Sequence, residues 1–149
     1  MTDKKLNDYK AEVEKCFATC TILTSSNAGT MTNADKTGDR VAYKGFDWID
    51  YWRAMTGNHN NTLYCSSCGK EITNSPSLAQ YVKFNEGDDT PEKHKAFGGH
   101  IWVTAEPDDT FSGGRYITPL CPDCNAKRGQ QVPMRKNINL CKELGAKKA

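Results

Sequence analysis

Four of the seven cysteines form two Cys-x-x-Cys pairs, Cys65/Cys68 and Cys121/Cys124. Each pair can present two thiolates to one ion, and four thiolates complete the tetrahedral site that Zn²⁺ adopts in structural centres. Thiolate is a soft ligand, so this donor set favours Zn²⁺ over Mg²⁺ or Ca²⁺. Four unrelated buried cysteines or two disulfides are the alternatives, and the paired spacing favours the metal. The sequence therefore predicts a structural zinc site made of these four residues.

His100 lies in the 52 residues between the two pairs, and the elements around it must position its ring. His100–Thr104 is rich in β-branched and aromatic residues and predicts a strand. Residues 115–120 predict the returning strand, and 125–128 the start of a short helix that Gly129 limits. The predicted local order is a strand that carries the histidine, a loop, a second strand, the second cysteine pair and a helix.

The first part of the chain predicts helical structure followed by a linker. Residues 2 to about 23 carry an apolar stripe at helical spacing, which predicts an amphipathic helix. Cys16 and Cys20 lie one helical turn apart on that stripe and either pack in the core or bind a metal, with packing favoured. Residues 24–45 are rich in Ser, Thr, Asn, Asp and Gly and predict a loop or a poorly ordered linker.

Three further segments complete the prediction along the chain. Asp47 is placed to cap a short aromatic-rich helix that Gly57 would end in the left-handed conformation. Residues 78–84 predict a short strand, and 85–95 an acidic loop. The predicted domain organisation is a helical region with a linker over residues 1–62 and a zinc-binding domain with a basic tail over 63–149.

Composition limits the class of protein. The chain has 149 residues and a net charge of +2, with no apolar run of the ~18 residues that a membrane span requires. The start has no apolar segment of the kind that a secretory signal contains. An odd number of cysteines, four of them in a metal site, suits a reducing compartment. We therefore expect a cytoplasmic protein without a membrane partner.

The C-terminal end is basic. Residues 125–149 contain seven Lys or Arg and one acidic residue, Glu143. Such a segment can neutralise the phosphates of a nucleic acid, although a charge run is often only a solvated tail. The charge distribution is therefore compatible with a nucleic-acid partner.

The segment from Tyr64 to Gln130, with GGHI, PLCPDCN and the earlier CSSCGK, resembles the zinc-knuckle branch of the HNH endonucleases. The resemblance covers the C-terminal half of the chain only. It implies an α+β fold in which a small zinc-bound treble-clef, or ββα-metal, domain follows the N-terminal helical extension.

The resemblance also implies roles for individual residues. His100 corresponds to the general base that deprotonates the attacking water, and Asn125 to a residue that helps to hold a catalytic Mg²⁺ or similar divalent cation. The four cysteines correspond to the structural zinc ligands. Lys127 and Arg128 correspond to basic residues that face the phosphate backbone of nucleic acid, most simply DNA.

Two positions depart from the family pattern. Gly99 stands where many members have a second ligand to the catalytic ion, and Tyr116 stands where the family has an asparagine. The first functional hypothesis is therefore a metal-dependent DNA endonuclease. The alternative is a catalytically degraded HNH-like scaffold that binds nucleic acid or a protein partner, for example a phage or mobile-element inhibitor of a host nuclease. A third is a structural zinc fold within an assembly.

Overall fold

A computed structural model describes residues 2–18, 20–25, 27–33, 41–86, 90–103 and 115–144. The fold is mixed α+β, with helices packed on antiparallel sheets. The helices are α1 (Asp3–Cys16), α2 (Trp48–Thr56), α3 (Leu78–Asn85) and α4 (Pro122–Asn125), with a 3-10 turn at Pro91–His94. The strands are β1 (Ile22–Thr24), β2 (Gly29–Asn33), β3 (Val41–Tyr43), β4 (Phe46–Asp47), β5 (Thr62–Tyr64), β6 (Glu71–Thr73), β7 (Phe97–Val103), β8 (Tyr116–Leu120), β9 (Gln131–Met134) and β10 (Asn139–Lys142).

Helix α1 is shorter than the sequence predicts. The Thr2 side chain caps its start, and its apolar stripe is buried at Leu6, Tyr9 and Val13. The helix ends at Cys16 because Phe17 adopts an extended conformation. The prediction that it continues to about residue 23 is wrong, since its last part forms β1 at the edge of the main sheet.

The main sheet has the strand order β1-β10-β8-β7-β2-β9, and all its pairings are antiparallel. Strand β1 pairs with β10, with Ile22 opposite Cys141, and β2 pairs with β9, with Gly29 opposite Met134. These two strand pairs flank the β7–β8 hairpin, where β2 pairs with β7 and β10 pairs with β8.

Strand β2 occupies part of the segment that the sequence predicts as a loop or linker, and over those residues the prediction is wrong. The strand lies between β7 and β9 inside the main sheet. Met31 is fully buried there and Asn33 is 2% exposed, so tertiary burial overrides a composition of Gly, Thr and Asn that is typical of loops. Residues 34–40, also within the predicted linker, lie outside the described residues.

Helix α2 begins and ends where the sequence predicts, and it covers one face of the sheet. The Asp47 carboxylate accepts a hydrogen bond from the Asp50 N–H, and Gly57 ends the helix at a φ of +74°. The side chains of Tyr51 and Trp52 donate hydrogen bonds to the backbone carbonyls of β10, at 2.8 and 3.0 Å. The helix thereby joins the N-terminal part of the chain to its last strand.

Residues 78–85 form helix α3, so the prediction of a strand over 78–84 is wrong. Ser77 and Gln80 form a capping box in which each side chain accepts a hydrogen bond from the other residue's backbone N–H. The aromatic and β-branched content of this segment suggested a strand. The Ser-x-x-Gln signal was present in the sequence and indicates the helix start.

The main sheet takes strands from both sides of the predicted domain boundary at residues 62 and 63. Strands β1 and β2 precede that boundary, and β7 to β10 follow it. No helix in the described part of the chain combines the length and the apolar composition needed to cross a membrane.

Candidate metal centre

The four paired cysteines converge on one point. The sulfur atoms of Cys65, Cys68, Cys121 and Cys124 all lie within 4.8 Å of one another, and the Sγ atoms of Cys68 and Cys121 are 3.7 Å apart. A tetrahedral ion with metal–sulfur bonds of about 2.3 Å needs sulfur atoms about 3.8 Å apart. All are free thiols. The arrangement could therefore hold a metal ion, and it fits the dimensions of a thiolate-bound zinc.

The β5–β6 hairpin positions the first pair. The backbone N–H of Cys65 donates to the carbonyl of Lys70 at 2.8 Å, and the N–H of Gly69 donates to the carbonyl of Cys65 at 2.9 Å. Gly69 adopts a φ of +80°, which a side chain would strain. The tight turn brings Cys65 and Cys68 to the same side of the hairpin.

Hydrogen bonds join the β5–β6 hairpin to β8, the strand that precedes the second cysteine pair. The Ser66 N–H donates to the carbonyl of Pro119 at 2.9 Å, and the hydroxyls of Ser66 and Thr118 lie 2.6 Å apart in the core. Both hydroxyl groups are buried, with Ser66 2% and Thr118 0% exposed. These contacts fix the distance between the two cysteine pairs.

The second pair lies at the first turn of α4. The Sγ atom of Cys121 caps the helix and accepts a hydrogen bond from the Cys124 N–H at 3.5 Å. Asn33 of β2 holds the other end, because its Nδ2 donates to the carbonyls of Cys124 and Asn125 at 3.0 and 2.9 Å. A strand from the N-terminal part of the chain thus fixes the orientation of the helix that carries two of the sulfurs.

Burial opposes ionisation of the two thiols of the second pair. Burial raises the pKa of Cys121 to about 11 and the pKa of Cys124 further above its ordinary value. Burial also opposes ionisation of Cys65, but backbone N–H groups, chiefly that of Cys68, lower its pKa overall. A divalent cation would offset the repulsion between the thiolates, so metal binding and proton release are linked at this site.

His100 lies on β7 and is 7% exposed. Its Nδ1 is 2.5 Å from the Oε1 of Glu143, and the Nε of Arg115 is 3.2 Å from the same oxygen. The Trp48 ring packs edge-on against the imidazole, with the ring centroids 4.8 Å apart. The Nε2 atom of His100 is buried and has no hydrogen-bond partner in the described residues. The carboxylate therefore fixes the ring orientation and leaves Nε2 as the free nitrogen.

Glu143 is the residue that the sequence analysis missed as a partner of His100. It was counted only as the single acidic residue of a basic tail. A separation of 43 residues hides the pairing, since no local spacing relates the two positions.

The structure does not bring His100 and Asn125 together. In an antiparallel sheet the side chains of directly opposite residues share a face, and successive side chains alternate. Asn33 lies opposite Ile101, and its side chain reaches the Asn125 carbonyl, so α4 ends at the Ile101 face. His100 points to the other face, where it contacts Trp48 of α2. No hydrogen bond joins His100 to Asn125 within the described residues.

The surroundings of His100 supply no evident cation site. Among the described residues, the four cysteines form the one group of three or more His, Cys, Asp or Glu side chains placed to hold a metal. Tyr116 is 3% exposed and lies opposite Ile101, on the face away from the imidazole. Glu106, Asp108 and Asp109, the acidic residues of the intervening loop, lie outside the described residues.

Four basic residues lie on the chain segments next to the two cysteine pairs. Lys127 and Arg128 follow α4, and Arg135 and Lys136 follow β9; all four are exposed. The Arg135 guanidinium lies against Gly69 of the first knuckle, with its Cζ 3.3 Å from the position of a Cβ there. None of the four forms an ion pair with another residue in the described ranges. Their charges are available to an external anion.

Comparison with known proteins finds no matching family model, no matching curated protein and no matching solved structure. The functional argument therefore depends on the geometry of this chain alone.

Proposed function

We propose that the protein is a zinc-stabilised, HNH-like scaffold that binds nucleic acid, most simply DNA, through the basic residues beside its cysteine cluster. The observation that carries the proposal is the group of four exposed cations on the segments next to the two cysteine pairs, none of which forms an ion pair with a residue that the structure describes. Cationic side chains that are free of internal partners release counterions when they neutralise phosphates, which drives binding.

Zinc is the metal that this proposal assigns to the four cysteines. The separation of 3.7 Å between two of the sulfurs fits its tetrahedral geometry, and thiolate donors exclude Mg²⁺ and Ca²⁺ as natural occupants. The order of first knuckle, β7–β8 hairpin and second knuckle at the start of α4 supports the proposal of a treble-clef arrangement. The metal would supply folding energy and hold the basic residues of both knuckles in one surface.

Binding is favoured over cleavage because the residues of the presumed nuclease site are separated. The imidazole of His100 packs beneath α2, while Asn125 lies at the end of α4 on the other face of the sheet. A hydrolytic metal such as Mg²⁺ would need oxygen ligands close to the base. The proposal therefore gives His100 a positioning role within the sheet and assigns no reaction to the protein.

The first prediction concerns the cations of the second knuckle. The double change of Lys127→Ala with Arg128→Ala should weaken binding to a DNA duplex on the order of tenfold at moderate salt, because two phosphate contacts are lost. The slope of log affinity against log salt should decrease in magnitude by about 2. Fluorescence anisotropy over a salt series measures both quantities.

A matched control removes the same charge elsewhere. Lys5→Ala with Lys15→Ala changes two exposed lysines of α1 and should leave the affinity and the salt slope nearly unchanged. If the two double variants lost the same affinity for DNA, the loss would be due to net charge alone, which would contradict a localised binding site. Plasmid nicking with Mg²⁺ or Mn²⁺ that His100→Ala abolishes would overturn the proposal in favour of the endonuclease.

A further inference from the structure

Two cysteines outside the metal centre meet where the start of β1 contacts β10. Cys141 lies opposite Ile22, and Cys20 precedes Ile22 by two residues, so both thiols belong to the same side of this strand pair. The register of β1 and β10 places the Cys141 thiol beside that of Cys20. Cys141 is completely buried, whereas Cys20 is only partly buried. One thiol of the pair is accessible and the other is held behind it.

Polar groups surround the Cys20 sulfur on its inner side. The Tyr51 hydroxyl lies 3.5 Å away, and the Lys142 carbonyl lies 3.4 Å away. The same hydroxyl donates to the same carbonyl at 2.8 Å, which fixes the position of both groups. The sulfur is therefore held in a defined place, and it is not simply a small apolar group that fills the core.

The outer side of Cys20 opens to solvent. It lines a surface cleft together with Lys10, Glu14, Ile22 and Met55. The hydrogen bond from Cys141 lowers the pKa of Cys20 to about 7 against the opposing effect of burial, with smaller contributions from Tyr51 and the Lys10 charge. The thiolate is the nucleophilic form of cysteine, and a pKa of about 7 makes about half of the Cys20 sulfur thiolate at neutral pH, on a side chain that reaches solvent.

We propose that Cys20 is a modification site for hydroperoxides and that Cys141 resolves the oxidised product as an intramolecular disulfide. The Cys20 thiolate attacks one oxygen of the O–O bond, which breaks; the sulfur becomes a sulfenic acid and the hydroperoxide leaves as its alcohol, or as water, after taking up a proton. Cys141 then attacks the sulfenic sulfur. The leaving hydroxide combines with the Cys141 proton as water, and an S–S bond forms.

Cys16 provides a contrast within the same chain. It is also partly buried and lies at the end of α1, four residues before Cys20, and its thiol donates to the Glu12 carboxylate at 3.5 Å. In the described part of the chain it forms no hydrogen bond with a second thiol. Cys16 should therefore form no disulfide.

The test treats the reduced, metal-loaded full chain with an equimolar amount of hydrogen peroxide at pH 7 and then alkylates the remaining thiols. Peptide mass spectrometry should find Cys20 linked to Cys141 and Cys16 alkylated. Phe17 lies between Cys16 and Cys20, so chymotrypsin separates the two thiols before the measurement. The variant Cys16→Ser should give the same linkage as the unchanged protein.

Two variants test the roles of the pair separately. Cys141→Ala removes the resolving thiol and keeps a small apolar group in the core, so dimedone should trap a sulfenic acid at Cys20. Cys20→Ser should yield neither the adduct nor the disulfide. Without peroxide, iodoacetamide should modify Cys20 several-fold faster than Cys141 at pH 7, because Cys20 is partly exposed and its pKa is lowered, whereas Cys141 is completely buried.

The unchanged protein gives the decisive result, so the proposal does not depend on a variant that fails to fold. Recovery of Cys20 and Cys141 as alkylated thiols, while Cys16 or the metal-centre cysteines are oxidised, would overturn it. A Cys20 disulfide to any partner other than Cys141 would do the same.

Discussion

At the scale of the residue, Asn33 has a structural role that the sequence analysis did not predict. Its side chain is 2% exposed and donates to two carbonyls at the end of α4, whose first turn carries two of the four sulfurs. Its own backbone carbonyl accepts a hydrogen bond from Gly129 at 2.8 Å. One amide therefore connects β2, α4 and the metal centre.

Asn33→Ala should lower the free energy of unfolding by about 1–3 kcal/mol, because the buried carbonyls of α4 lose their donor. The metal should also pass to a competing chelator faster, since α4 is held less firmly. Chemical denaturation and a colorimetric chelator measure the two effects. Thr30→Ala, on the same strand, should affect stability less and leave metal release unchanged; equal metal release in both variants would contradict the role of Asn33.

At the scale of the element, the approach of α2 to β7 depends on Gly98. A Cβ at this position would lie 2.5 Å from the backbone carbon of Trp48 and 2.6 Å from the backbone nitrogen of Ile49. Those atoms belong to the first turn of α2, which Asp47 caps. The first turn of α2 cannot move away from β7 without loss of its N-terminal cap. Gly98 therefore sets the distance between the helix and the sheet.

Gly98→Ala should destabilise the fold by about 3 kcal/mol, the upper range for overpacking, because backbone atoms are in the way. Gly45→Ala is the matched control: nothing lies within 4 Å of its Cβ position, and only its φ of +80° opposes the change. That strain should cost about 1 kcal/mol. Urea denaturation of both variants measures the difference, and a Gly98→Ala protein as stable as Gly45→Ala would show that α2 can move.

At the scale of the whole molecule, strands β1 and β2 make the N-terminal part of the chain a component of the sheet. Strand β2 separates β7 from β9, and β1 lies on the outer side of β10. Without these strands, β9 would have no partner in the main sheet, and Met134 and Val132, which are 1% and 2% exposed, would lose part of their cover.

A fragment of residues 63–149 should therefore not unfold cooperatively, even when it is supplied with zinc. The four cysteines of the fragment could still hold a metal ion, but its sheet lacks two of the six strands. Thermal unfolding followed by circular dichroism tests this, with the full chain as the control. Addition of a peptide covering residues 1–62 should restore a cooperative transition; a sharp transition in the fragment alone would make it an independent domain.

The sequence was sufficient to predict those features whose signal is local. The cysteine spacing identified the four sulfurs, whose convergence the structure supports. Asp47 and Gly57 marked the two ends of α2, because a cap requires only its own helix. The Ser77 capping box was an equally local signal of the helix start, but the strand-like composition of the same segment led to the wrong prediction.

Tertiary structure alone decided the rest, since it depends on partners that are far apart in the chain. A Thr- and Asn-rich segment becomes β2 because strands that follow residue 96 bury it on both sides. Glu143 reaches His100 only because β10, which ends one residue before it, pairs with β8. The alternation of the β7 side chains then places the imidazole and the end of α4 on opposite faces of the sheet, a geometry that spacing along the chain does not encode.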